Sequence, residues 1–492
     1  MNPRHHGLLT PLFAIRVKEG FGIGSYRDLI PLIDLACRVG FSLIQLLPIH
    51  DTGQDPSPYN AIDGHTFHPI YLSLEKKWMT EEDLHFFHTL DPGRLDYHRV
   101  LQRKLAILKR VYLKLTPQEC SAIESFLELH PYLKRYALMK INFENPQALP
   151  LERVFDPREN IDHLFAAFQR HALFYIFLQK LIHEQLEEVS CYAKLHRVHL
   201  MFDMPILLSP DSCEVRGHPH LFLKGVVAGT PPDSFNQEGQ YWGFPIYDWS
   251  RSSDAIFDML KEKMKLVARF FPLIRIDHIL GFFRFFAIPK GLSPAHGRYI
   301  PSDEKEALAN GRKLLSQLIV LTNMEAVGED LGTKIDGTDT VLDELNIHRT
   351  VMAIWEKKGD HLVAIENYPY RASASLSNHD LPLFAAYWHA HPQARVQLQQ
   401  LLGLPAHAKW DQEMQLQALK ALHRAPCRWI VNPIQEYLNI SKKYFPSDLN
   451  HARINTPGTV SPTNWTYRMP VSLDDLGKDY DWLEKMLSLS RD

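Results

Sequence analysis

Three acidic residues stand where short apolar runs give way to glycine or histidine. They are Asp277 in Leu273-Ile274-Arg275-Ile276-Asp277-His278, Glu329 in Val327-Gly328-Glu329-Asp330-Leu331-Gly332, and Asp380 after Ser377-Asn378-His379. Cleaving a glycosidic bond with retention requires a carboxylate nucleophile, a carboxyl that protonates the leaving oxygen, and electrostatic support for an oxocarbenium-like transition state. Arg275, two residues before Asp277, shares its face of a strand and would hold that carboxylate ionised and oriented. Gly328 and Gly332 flank the pair Glu329 and Asp330 and permit a sharp turn. Crowding by Asp330 and the other acids would raise the pKa of Glu329 toward that of a general acid. An imidazole next to a carboxylate, His379 with Asp380, can grip sugar hydroxyls. Each acid could equally be an ordinary strand-end residue that caps a helix or pairs with arginine, and the residues alone leave both readings open.

About fifty residues separate successive members of the set, so each must come from a different strand end, as sites on a (β/α)8 barrel do. Six apolar runs, at 8–15, 42–49, 198–208, 273–278, 326–331 and 428–433, and two weaker ones at 350–355 and 372–376, precede turn residues and then helical patterns. That is the order of β-α units, and eight strands close a barrel. Asp51, Asp203, Asp277 and Glu329 fall at the C-terminal ends of such runs, the catalytic face of this fold. From about 75 to 197 the chain carries Leu, Lys, Glu and His at helical spacing, which predicts a helical insertion. No repeat or linker divides the chain, and its 33 prolines are spread through loops, so residues 1–492 read as one α/β body.

Lys and Arg total 54 against 57 Asp and Glu, a formal charge of -3 that gathers neither nucleic acid nor an anionic membrane and suits a neutral substrate. The five cysteines form no C-x-x-C pair, and neither a signal peptide nor a membrane span is evident, so a cytoplasmic setting is expected. No H-E-x-x-H occurs, and His196-x-x-His199 has no carboxylate partner in sequence, so neither a catalytic metal nor another cofactor is expected. Gly22-Ile23-Gly24 lacks the rest of a phosphate loop and reads as a tight turn. Oligomeric state is left open. Tyr59, Phe235, Tyr241 and Trp242 could serve as platforms for sugar rings or as core. The last three lie in or beside a Gly- and Pro-rich loop, which favours the platform reading.

Several longer motifs resemble the amylomaltases, the disproportionating α-glucanotransferases of glycoside hydrolase family 77, over residues 11–468. They include Gly22-Ile23-Gly24-Ser25, Gln45-Leu46-Leu47-Pro48 followed by Ser57-Pro58-Tyr59, and Asp203-Met204-Pro205. The segment VAGTPPDSFNQEGQYWG at 227–243 looks like the family's loop arching over the glucan site. Asn455-Thr456-Pro457-Gly458-Thr459 with Asn464, Trp465 and Arg468 resembles its C-terminal signature. The resemblance implies a (β/α)8 barrel in which Asp277 is the nucleophile, Glu329 the acid/base and Asp380 the transition-state stabiliser. It implies substrate contacts from Tyr59, Asp203, Phe235, Trp242, Arg275, His278, His379 and Asn464, and maltodextrin, maltose or glycogen as substrates.

Two departures stand out. The family commonly has Gly-Thr where this chain has Ser377-Asn378, and a tyrosine where it has Ser234. His50-Asp51-Thr52 and Trp242-Gly243-Phe244-Pro245 are more similar to the plant cytosolic disproportionating branch, which uses maltose with a branched polysaccharide partner. The same acids would also serve an amylase-like hydrolase, and a glucan-binding protein without turnover is the reading from outside enzymes.

Overall fold

The computed structural model describes residues 4–232, 236–405 and 410–490. Eight short strands carry the barrel: β1 (His5–Leu9), β2 (Leu43–Gln45), β3 (His199–Met204), β4 (Leu273–Ile276), β5 (Glu325–Gly328), β6 (Arg349–Met352), β7 (Ala372–Ser375) and β8 (Trp429–Pro433). All paired neighbours are parallel, in the order β6-β7-β8-β1-β2-β3-β4-β5. The ring closes between β5 and β6, where Gly328 N donates to His348 O at 2.7 Å and His348 N to Ala326 O at 2.9 Å. Leu8, Ile44, Phe202, Ile274, Ala374 and Ile430 are fully buried, as expected for parallel strands covered on both faces. Helices follow the strands, among them Leu29–Arg38, Trp249–Phe270, Glu304–Thr322 and Gln412–His423.

Each apolar run overlaps a strand, with shifted bounds. The run at 8–15 pairs only through Leu9. Pro11, which has no N–H to give a ladder, then leads into a 3-10 turn at Leu12–Ala14. That turn is itself buried, so hydrophobicity continues where pairing stops. The run at 198–208 stops pairing at Met204, before Pro205.

Between β2 and β3 the chain is helical, with Tyr97–Tyr112, Pro117–Leu129, Leu133–Glu144 and Gln169–Leu195 as the longest elements. A small antiparallel sheet, Gln240–Tyr241 beside Val226–Thr230 beside Phe285–Pro289 beside Arg298–Ile300, was not foreseen from the sequence. It joins the segments that follow β3 and β4 and carries Trp242 at its edge. Among the described residues no helix is long and apolar enough to cross a membrane.

Candidate active site

Strand register brings the acids together. Arg275 is paired with Asp203 on β3 and with Val327 on β5, and Ile276 with Gly328, so Asp277 and Glu329 leave adjacent strands side by side. Neighbouring strands run about 5 Å apart, which sets the scale of their separation. The Asp277 N–H donates to Met204 O at 3.1 Å and the Glu329 N–H to Ile276 O at 2.9 Å, extending both ladders by one residue.

Gly328 and Gly332 do different things there. A Cβ on Gly328 would lie 2.6 Å from Ile279 Cδ1, so this glycine lets the turn after Asp277 pack against β5, whereas Gly332 supplies the bend with φ +121°. His278 takes the left-handed conformation, φ 43°, and its N–H donates to Glu329 Oε2 at 2.8 Å.

A continuous hydrogen-bonded chain supports the site. Arg275 Nη1 donates to Asp277 Oδ1 at 3.0 Å and to Asp203 Oδ1 at 2.6 Å. The Tyr59 hydroxyl donates to Asp203 Oδ2 at 2.8 Å and lies 2.9 Å from His379 Nε2. Its single proton is committed to Asp203, so the His379 Nε2–H must donate to it. The same Nε2 lies 3.4 Å from Asp380 Oδ2, and Asn455 Nδ2 donates to Asp380 Oδ1 at 2.6 Å. Burial sorts these groups. Asp203 and His379 are 0% and 1% exposed, whereas the side chains of Asp277 and Asp380 are 26% and 39% exposed, so the first two are sealed and the last two carboxylates reach solvent.

The same packing sets the charges. Burial raises Glu329 to about 8, with the negative charge of Asp277 adding to the effect while Arg275 opposes it. The expected crowding by Asp330 is the smaller influence. That carboxylate is fully buried among Lys334, Arg349 Nε at 3.2 Å and the Thr350 N–H at 2.8 Å, which neutralise it. Burial would raise Asp380 too, but the His379 charge and the Asn455 amide hold it at about 2. His379 itself is raised, since Asp380 and Asp203 outweigh its burial. The site thus holds Glu329, raised to about 8, beside Asp380, held at about 2, with Asp277 and Asp203 both ion-paired to Arg275.

The departure at 377–378 has a local explanation. Asn378 Oδ1 accepts the N–H groups of Asp380 and Leu381 at 2.9 and 3.0 Å, and the Ser377 hydroxyl donates to buried Glu436. These side chains build the turn that presents Asp380.

The other sequence candidates divide. Tyr59, Asp203, Arg275 and His379 belong to the network. Trp242 packs edge-on against the His278 ring, with centroids 4.9 Å apart, and its indole N–H donates to Gln240. The Asn464 amide is committed to its own loop, accepting from Thr456 N at 3.2 Å and donating to Thr459 O at 3.0 Å. It shapes that loop, and no hydrogen bond links it to the acids. Phe235, like Ser234, lies outside the described residues. Asp51, another strand-end acid, is sealed by Tyr136 Oη at 2.6 Å and Lys140 Nζ at 2.9 Å. Sequence reasoning gave no site role to Asn455 or to Trp465, whose ring lies 5.7 Å from that of Tyr59 and 6.1 Å from that of His379. The loop motif carrying both, Asn455-Thr456-Pro457-Gly458-Thr459 with Asn464 and Trp465, was the available signal.

A family model described as 4-alpha-glucanotransferase matches residues 10–473. A 4-alpha-glucanotransferase of Chlamydia pneumoniae is 33% identical over 504 residues, 98% of this chain and 95% of its own. One from Oryza sativa subsp. japonica is 32% identical over 334 residues, 63% of this chain and 35% of its own. The amylomaltase from Streptococcus agalactiae in complex with acarbose shares the fold, with a TM-score of 0.83 at 20% identity over 99% of this chain and 98% of its own. Strand-end acids on a closed parallel barrel and a family match over nearly the whole chain point the same way: the chain belongs to glycoside hydrolase family 77, the 4-alpha-glucanotransferases.

Proposed function

We propose that this chain moves α-1,4-linked glucan segments or glucosyl units from maltodextrin or maltose to a sugar acceptor by double displacement, with Asp277, Glu329 and Asp380 as its catalytic residues. The observation that carries this reading is Glu329, raised to about 8 and fixed by the His278 N–H beside an Asp277 that Arg275 orients. Asp277 attacks the anomeric carbon as Glu329 gives its proton to the departing sugar oxygen, leaving a β-linked glycosyl-enzyme. Glu329, now a base, takes the proton of an acceptor 4-hydroxyl as that oxygen displaces Asp277, and the α linkage is restored. Asp380, ionised and anchored by His379 and Asn455, supports the oxocarbenium-like charge. Tyr59, Asp203, Arg275 and His379 position these groups, the half-buried Tyr59 being the one of the four open to a sugar, and Trp242 beside His278 restricts water so that a sugar acceptor competes with it.

Residues 75–197 act as a helical insertion on the one catalytic body, reaching the barrel face through Tyr136 and Lys140, which hold Asp51. The five free cysteines suit a cytoplasmic setting. The acarbose complex of the streptococcal amylomaltase supports α-glucan as the substrate class. Incubation with maltotriose tests the reading. Glucose together with dextrins longer than maltotriose is expected, and a net growth of reducing ends without longer products would replace transfer by hydrolysis.

A further inference from the structure

We infer that Asp63, His65 and Glu214 form a site for a divalent transition-metal ion of the zinc class, outside the catalytic network. Among the described residues these three offer ligand atoms, two carboxylate oxygens and an imidazole nitrogen, that all lie within 4.8 Å of one another. Ligands roughly 2 Å from a tetrahedral zinc ion lie roughly 3.3 Å apart, so modest side-chain adjustment closes the shell. A mixed oxygen and nitrogen donor set suits zinc better than calcium or magnesium, which take oxygen alone.

The cluster is built by two loops. The first follows β2 and carries Tyr59, and the second follows β3. Their backbones are tied by Ser209 N to Ala61 O at 3.0 Å and Cys213 N to Ile62 O at 2.9 Å. Glu214 Oε1 accepts the Gly64 N–H at 2.7 Å and lies 3.3 Å from His65 Nδ1. A Cβ at position 64 would sit 2.7 Å from that oxygen, so the sequence Asp63-Gly64-His65 is what allows the two loops to meet so closely.

Glu214 is 5% exposed, yet its second oxygen, Oε2, is buried without a hydrogen-bond partner. An unpaired buried carboxylate oxygen is costly, and an ion among these ligands would satisfy it. A cavity of about 220 Å³, lined by Asp63, His65, Tyr132, Arg135, Cys213 and Glu214, adjoins the cluster and gives an entry path and room for a water ligand. The rival occupant is Lys263, buried nearby with its Nζ 3.5 Å from Pro205 O.

The test is calorimetric titration of the EDTA-treated full chain with ZnCl2, alongside Asp63→Asn and Glu214→Gln. One ion per chain is expected in the wild type, with affinity at least about tenfold weaker in each variant. Zinc is expected to raise Tm in the wild type alone. Where a variant does not fold, CoCl2 added to the wild type decides, the expected result being the intense visible absorption of a four- or five-coordinate ion. No saturable binding, no such absorption, or equal affinity in wild type and variants overturns the site and leaves Lys263 as the charge partner of the two carboxylates.

Discussion

The backbone N–H of His278 donates to Glu329 Oε2 at 2.8 Å, so the residue that follows Asp277 also fixes the neighbouring carboxyl. One short turn therefore sets the relative placement of the two groups to which we assign the double displacement. His278 holds that turn in the left-handed region, with its ring against Trp242.

Glu329 gives two pH effects. With Glu329 as the proposed general acid, kcat/KM is expected to fall as its proton is lost, with pH rising through about 8. The folded state holds this proton more tightly than the unfolded chain, whose glutamate titrates near 4.5, so Glu329 takes stability away as pH rises between about 4.5 and about 8. Glu329→Gln is expected to lose transfer while raising stability by roughly 1–3 kcal/mol at pH 8 and by little at pH 4.5. Chemical denaturation at the two pH values, with kinetics of the wild type across the range, checks both.

Tyr59→Phe removes the hydroxyl that joins Asp203 to His379 and keeps the ring. A kcat lower by roughly 10- to 100-fold with a smaller change in KM is expected, because the loss is one of orientation. Steady-state kinetics on maltotriose separates the two constants.

Arg275→Ala leaves Asp203 fully buried without its counter-charge and Asp277 without its guide. A stability loss of about 3–5 kcal/mol is expected from the uncompensated charge. Arg275→Lys should restore part of this stability but little activity, since one ammonium does not reproduce the planar guanidinium. Urea unfolding together with kcat distinguishes the two effects.

Asp51→Asn tests whether every strand-end acid is catalytic. Asp51 is held at about 2, its burial outweighed by Lys140 and His68, so its contribution is present above its ordinary value of 3.8 and lost as pH falls through about 2. The variant is expected to be roughly 3 kcal/mol less stable at pH 7, with the gap to wild type closing toward pH 2, and to keep the kcat of its folded fraction. Thermal melts across pH read this directly.

The barrel was legible because most of its strands are short apolar runs separated by helical patterns, and even the weak runs at 350–355 and 372–376, where polar residues interrupt, overlap β6 and β7. Their ends were not legible where burial outlasts pairing, as in the 3-10 turn Leu12–Ala14 after β1. Arg275 and Asp277 met as strand alternation expects. The Tyr59, Asp203 and His379 junction joins two loops to strand β3 across separations of 144 and 320 residues, and spacing carries no trace of such a meeting. Asn464 was legible only as part of a motif, and its amide bonds to its own loop, a local use that spacing does not display. Glu329 was expected to be raised by charge, yet burial is the larger cause, and burial is a property of the folded chain that no local motif displays.

The most direct measurement of the central claim is trapping the glycosyl-enzyme. Glu329→Gln treated with an α-maltosyl fluoride, whose leaving group needs no proton, should accumulate one maltosyl ester per chain, because no base remains to activate the acceptor. Intact mass and peptide mapping are expected to place that ester on Asp277. An ester on any other residue, or none while the wild type consumes the same fluoride, would contradict the account.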